Sequence, residues 1–113
     1  MPSERKLPDD PLTFIRDCVT GQRVFWTYHI DMRIKDRFIA CEAILASVSS
    51  YEIIESYPED KYLPSYLVYF QHESGAYHVL FAADVERRNV RVITAYRPGP
   101  DKWHEDMKRR RSK

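Results

Sequence analysis

Along the chain the spacing of apolar positions changes from helical to strand-like near residue 50. Between residues 10 and 21, Leu12, Ile15 and Val19 recur at three- and four-residue steps, which predicts a helix with one stripe turned to a core. Pro11 suits the first helical position, where its missing N–H has no intrahelical partner to lose, and Gly21 marks the end. The run Val24, Phe25, Trp26, Thr27, Tyr28 combines β-branched and aromatic residues and reads as a short strand or extended segment leading to His29. From residue 30 to 48 the helical step returns in Ile30, Ile34, Phe38, Cys41, Leu45 and Val48, a pattern that fits one helix or two broken near Phe38.

Four runs follow, at residues 51–57, 66–71, 77–85 and 90–97, separated by Pro58-Glu59-Asp60, Glu73-Ser74-Gly75 and residues 86–89. Their composition predicts strands, and the short connections favour antiparallel neighbours. Pro98-Gly99-Pro100 ends the last strand, and Asp101 is placed to cap a final basic helix holding Trp103 and Met107. The expected fold is therefore α+β: an antiparallel four-stranded sheet packed by N-terminal helices, with a short C-terminal helix. Residues 1–9 read as a flexible lead-in, 10–107 as a single domain and 108–113 as a basic tail.

Composition narrows this picture only a little. A chain of 113 residues can bury a core without a disulfide or structural metal. Cys18 and Cys41 fall on helix-like faces without paired spacing, so both are read as reduced thiols. No apolar run approaches the roughly 20 residues that cross a bilayer, and the expected location is cytoplasmic, with no membrane association. Residues 1–63 carry 8 Lys/Arg against 11 Asp/Glu, and residues 64–113 carry 10 against 6. The basic excess thus sits in the second half, chiefly in Lys108, Arg109, Arg110, Arg111 and Lys113, a run suited to phosphate contact or to a solvated terminus.

Three groups of side chains could carry chemistry. His29, Arg33 and Arg37 repeat every four residues and share one edge if their segment is helical. That edge suits phosphate recognition or proton transfer, and equally suits capping and solvent-facing ion pairs with Asp36 or Glu42. His78 lies opposite either Tyr96 or Arg97, because a one-residue slip of register exchanges the faces, and either pairing makes a polar corner. A strand histidine of this kind is also often a satisfied structural group. Tyr57, Lys61 and Tyr66 surround the Tyr57-Pro58 turn, where a tyrosine commonly packs on the proline.

Metal and nucleotide chemistry find no support. His29, His72, His78 and His104 lack ligand spacing, and the three glycines form no phosphate loop, so no metal and no cofactor is expected.

Four short motifs in order, His29-xxx-Arg33-xxx-Arg37, Glu52 to Pro58 (EIIESYP), Tyr77-His78-Val79 and Thr94-Ala95-Tyr96-Arg97-Pro98, resemble the bacterial family called domain of unknown function 4258. The chain departs from that pattern at Phe38, where glycine is expected, and at Ala40, where Ser or Thr is usual. The resemblance implies a toxin-like role, since such proteins are often encoded beside zinc-ribbon antitoxins similar to the partner of the motility quorum-sensing regulator toxin. It points to a metal-independent endoribonuclease, akin to the RelE-like class, acting on RNA and held by a zinc-ribbon or helix-turn-helix antitoxin. On that reading His78 or His29 is the base, Arg33, Arg37 and Arg97 face the phosphate, Tyr96 orients it or supplies a proton, Lys61 adds charge, and Trp103 or another exposed aromatic stacks a base. The competing expectation is a non-catalytic module that binds a protein or nucleic acid.

Overall fold

A computed structural model describes residues 7–26, 41–73 and 75–111 of the chain. Helix α1 spans Pro11–Thr20, with Asp10 as its N-cap and Gly21 at its end. The Asp10 carboxylate accepts from the Thr13 N–H at 3.2 Å, satisfying one of the donors that a helix start leaves open. Ile15, Cys18 and Val19 are its buried residues. Strand β1 (Val24–Trp26) follows, then helix α2 (Cys41–Ala46) and a 3-10 turn at Val48–Ser50. The rest of the predicted helical region, with Ile30, Ile34 and Phe38, lies outside the described residues. In α2 the inward residues are Ala43 and Ile44, whereas Leu45, assigned to the apolar stripe by its spacing, is 40% exposed.

Strands β2 (Glu52–Tyr57), β3 (Ser65–His72), β4 (Gly75–Asp84) and β5 (Asn89–Tyr96) match the four expected runs. The sheet nevertheless has five strands, in the order β1-β5-β4-β3-β2. It is mixed rather than purely antiparallel, because β1 pairs in parallel with β5, Phe25 opposite Arg91. The three-residue β1 can complete the edge in this sense because the long connection to β2 and the later hairpins return β5 to it.

One face carries the core. Tyr66, Val68, Phe70, Val79, Phe81, Ala83, Val90, Val92 and Ala95 pack against Ile15, Cys18, Val19 and Ile44. Tyr51 seals this layer: its ring lies 5.8 Å from Phe70 and 5.7 Å from Phe81, and its hydroxyl donates to the Ile44 carbonyl at 2.6 Å.

Two β-bulges decide what the opposite face presents. Ile53 pairs with Val68 on the core side, but the register shifts before Glu55, which pairs with Leu67. In β5 the shift falls between the pairs Phe81↔Val92 and Leu80↔Thr94. Directly opposed residues share a face, so each extra residue turns the strand end over. Glu55 and Tyr57, and likewise Thr94 and Tyr96, are thereby moved from the helix-covered face to the outer one.

The segment after β5 lies across that outer face, and it is not the expected helix. Trp103 and Arg110 form an antiparallel bridge, the His104 N–H donates to the Arg109 carbonyl and the Arg111 N–H to the Lys102 carbonyl, both at 2.8 Å. These cross-chain bonds, the Asp106 side chain capping the N–H groups of Lys108 and Arg109, and Met107 at a φ of 60° make a closed loop instead. The segment buries Trp103 to 2% exposure, which a short exposed helix would not do. Residues 108–111, most of the run read as a solvated tail, belong to this strap. The shape of the core sets a simple test: Phe81→Ala removes a fully buried ring and is expected to lower the unfolding free energy by about 3–5 kcal/mol, read as a shifted midpoint in urea with unchanged slope.

Candidate functional site

The outer-face residues form a lattice of cross-strand rows. Glu52, Tyr69, His78 and Tyr96 stand in one row, and Glu55, Leu67, Leu80 and Thr94 in the next. The open register of His78 is thus resolved in favour of Tyr96.

His78 is 0% exposed. Its Nε2 lies 2.6 Å from the Met107 carbonyl oxygen, and its Nδ1 lies 3.2 Å from the Tyr96 hydroxyl. A carbonyl can only accept, so Nε2 carries the proton and the bare Nδ1 accepts from Tyr96. The ring is walled by Trp103, edge-on at a centroid distance of 4.3 Å, and by Tyr69 at 6.2 Å. Burial pushes the His78 pKa below its ordinary 6.5, against the opposing pull of the Met107 carbonyl. The same burial raises the Tyr96 hydroxyl above its ordinary 10.0 and keeps it protonated.

Beside this pair stands an ion pair that ties strap to sheet. Arg110 donates from Nε to Glu55 Oε2 at 2.7 Å and from Nη2 to Oε1 at 3.1 Å. Such a bidentate fork holds a guanidinium in one orientation. Arg110 also lies over the Trp103 ring at 4.6 Å, and Tyr57 donates its hydroxyl to Glu55. Burial alone would raise the Glu55 carboxyl, yet the hydrogen bonds from Arg110 and Tyr57 and the Arg110 charge together hold it below its ordinary range. One row away, Lys108 bonds Glu52 at 3.0 Å and sits 4.9 Å over the Tyr69 ring.

Two depressions open around Arg110. A cleft of about 820 Å³ runs along Tyr96, Pro98, Lys102 and Arg110. A smaller one of about 340 Å³ lies over Leu67 and Leu80, and Thr94, Tyr96 and Arg110 border both. The arrangement can hold an anion at Arg110 and move a proton between a bound group and His78 through the Tyr96 hydroxyl.

Of the residues singled out in the sequence, His78 and Tyr96 meet here, while His29, Arg33 and Arg37 lie outside the described residues. Trp103 cannot stack a ligand base, as expected of an exposed ring, because its ring is spent covering His78. Arg97 borders the large cleft, but its guanidinium stacks on Tyr77 at 5.2 Å, close against Gly75, where a Cβ would come within 2.9 Å of it. Lys61 lies over the exposed Tyr62 ring in the β2–β3 connection. Tyr57 and Tyr66 face opposite sides of the sheet, so the group proposed around the Tyr57-Pro58 turn does not assemble. Glu55 and Arg110 were missed. Strict alternation puts Glu55 in the core, and nothing in the tail distinguishes Arg110 from its basic neighbours.

The fold and this corner define an α+β protein with a polar cluster on the outer face of a mixed sheet. A family model described as a domain of unknown function (DUF4258) matches residues 26–97, and the chain belongs to that family. Neither the curated proteins nor the solved structures contain a match to the chain. The family match ends at Arg97, so the strap residues Trp103, Met107 and Arg110 lie beyond it. No helix among the described residues is long and apolar enough to cross a membrane.

The lowered His78 pKa gives a signed expectation. The folded protein binds fewer protons at His78 than the unfolded chain, so stability falls as pH drops below about 6.5. Glu55, with its folded pKa depressed below 4.5, adds a second loss only lower, through the carboxylate range. Thermal unfolding followed from pH 7.5 to 5 is expected to show the first decline in the native protein and its absence in His78→Gln; equal slopes would contradict the assignment.

Proposed function

We propose that the outer-face cleft binds single-stranded RNA and cleaves it as a metal-independent, toxin-like endoribonuclease. The observation that carries this reading is that Tyr96, hydrogen-bonded through its hydroxyl to the buried His78 imidazole, lines a cleft together with Arg110. His78 is too deeply covered to touch a substrate, so it acts through Tyr96 and not as the direct base expected from the sequence. The ribose 2′-hydroxyl gives its proton to the Tyr96 oxygen as Tyr96 passes its own to His78 Nδ1. The 2′-oxygen attacks phosphorus, the bond to the 5′-oxygen breaks, and the proton returns along the same relay to the departing oxygen. The products are a 2′,3′-cyclic phosphate and a 5′-hydroxyl, with no net proton change.

Arg110 holds the phosphoryl oxygens as their charge grows, a duty suited to a planar fork with five N–H donors. The Met107 carbonyl, accepting from Nε2, steadies the imidazolium while it exists. The likeness to RelE-like and motility quorum-sensing regulator toxins belongs to this proposal, as does an antitoxin partner of zinc-ribbon or helix-turn-helix type.

A second reading, a binding module without catalysis, is favoured by the fact that both His78 nitrogens already have protein partners, as a structural histidine would. One experiment separates the two. Purified protein incubated with single-stranded RNA in EDTA is expected to leave 2′,3′-cyclic phosphate ends, to spare DNA of the same sequence, and to slow by at least about 100-fold in Tyr96→Phe. Intact RNA that is bound but never cut would leave the binding module in place of the nuclease.

A further inference from the structure

The smaller depression is a distinct compartment beside the proposed reaction point. Its base is the cross-strand pair Leu67 and Leu80, its sides are contributed by Tyr57 and Tyr96, and the Asp60 carboxylate stands at its rim. A volume of about 340 Å³ falls at the small end of ligand sites, room for one planar ring system and not for a length of chain. An apolar base flanked by tyrosines is the surface on which an unstacked nucleobase rests, since every base has a π-face.

Among the residues that line the compartment, Asp60 supplies the carboxylate and Arg110 the cation. Asp60 Oδ1 accepts from the Lys61 N–H at 3.1 Å and its Oδ2 from the Ser65 hydroxyl at 2.5 Å, which fixes the carboxylate plane. A carboxylate accepts at both oxygens through more than one lone pair each, so this anchoring leaves acceptor capacity on both oxygens. Two parallel N–H donors on one edge match that fork, as a guanidinium does. Guanine presents such an edge in N1–H and its exocyclic amine. Uracil offers one N–H between two carbonyls, which the carboxylate repels.

We infer that this compartment is a subsite for a single unstacked guanine, held flat on Leu67 and Leu80 and read by Asp60, next to the phosphate that Arg110 binds. The inference rests on the RNA-directed reading above and gives it a sequence preference. Thr94, Tyr96 and Arg110 border both depressions, so the base compartment adjoins the residues of the proposed reaction.

The test is a methyl and aromatic NMR titration of the full chain with the 3′-monophosphates of guanosine, adenosine, cytidine and uridine, and with ribose 5-phosphate. Guanosine 3′-monophosphate is expected to shift the Leu67 and Leu80 methyls with at least about tenfold tighter binding than the others, a difference of about 1.4 kcal/mol. Ribose 5-phosphate should leave those methyls in place. Asp60→Asn should abolish the preference, and Leu80→Phe, which leaves the Asp60 turn untouched, should fill the base of the site and remove the Leu67 shifts. Methyl shifts equal with ribose 5-phosphate, no shift at millimolar nucleotide, or an unchanged preference in Asp60→Asn would overturn the subsite. Cleavage is read separately. Guanine binding without RNA cleavage supports the subsite and removes the nuclease, whereas cleavage indifferent to guanine overturns the subsite and keeps the nuclease.

Discussion

A single buried imidazole joins the two halves of the outer face. His78 comes from the sheet, and the group that satisfies its Nε2 comes from the strap, at Met107. A polar side chain at 0% exposure is tolerated in a folded protein only when its donors and acceptors are matched. Losing the strap would therefore strip His78 of its acceptor and its Trp103 cover together, and losing His78 would leave the Met107 carbonyl and the Tyr96 hydroxyl without their partner. The Glu55–Arg110 and Lys108–Glu52 pairs lie around this contact and add orientation more than energy, since partly exposed ion pairs contribute little.

From that contact the remaining chemistry follows in order. The neutral Nε2–H form leaves Nδ1 as an acceptor facing Tyr96, and burial keeps both the imidazole uncharged and the phenol protonated. A neutral pair of this kind can accept and return a proton without separating charge at rest. Arg110 supplies the permanent positive charge, and Glu55 holds it in place. The catalytic reading and the binding reading share this geometry, and they differ only in whether the relay is used.

Much of the fold was legible in the sequence because its signals are local. Asp10, Pro11 and Gly21 bound the first helix by backbone chemistry that needs no tertiary context. The four later strands were found from composition and turns, and their hairpin order followed from short connections. What escaped were features fixed by pairing at a distance. The parallel attachment of β1 depends on where β5 ends up, so Val24–Trp26 was read as a short strand or extended segment but not counted in the sheet. Trp103 and Met107, after a capping Asp101, carry helix-like spacing, and the burial of Trp103 on His78 decided otherwise.

The site was half legible for a reason located at two residues. The register shifts before Glu55 and before Thr94 break the period of two on which strand reading relies, and they move Glu55, Tyr57, Thr94 and Tyr96 to the outer face. His78 was placed opposite Tyr96 or Arg97 in advance because the turn between β4 and β5 limits the register to two choices, and the pairing in the sheet selects Tyr96. Arg110, far along the chain and one of several adjacent basic residues, had no such constraint. A neutral His78 with its proton on Nε2 and its Nδ1 receiving Tyr96 is open to direct measurement by two-bond ¹H–¹⁵N correlation of the histidine ring nitrogens at pH 7. The expected result is a protonated Nε2 and an unprotonated Nδ1 whose shift changes in Tyr96→Phe; a proton on Nδ1, or an imidazolium with both nitrogens protonated, would overturn the assignment.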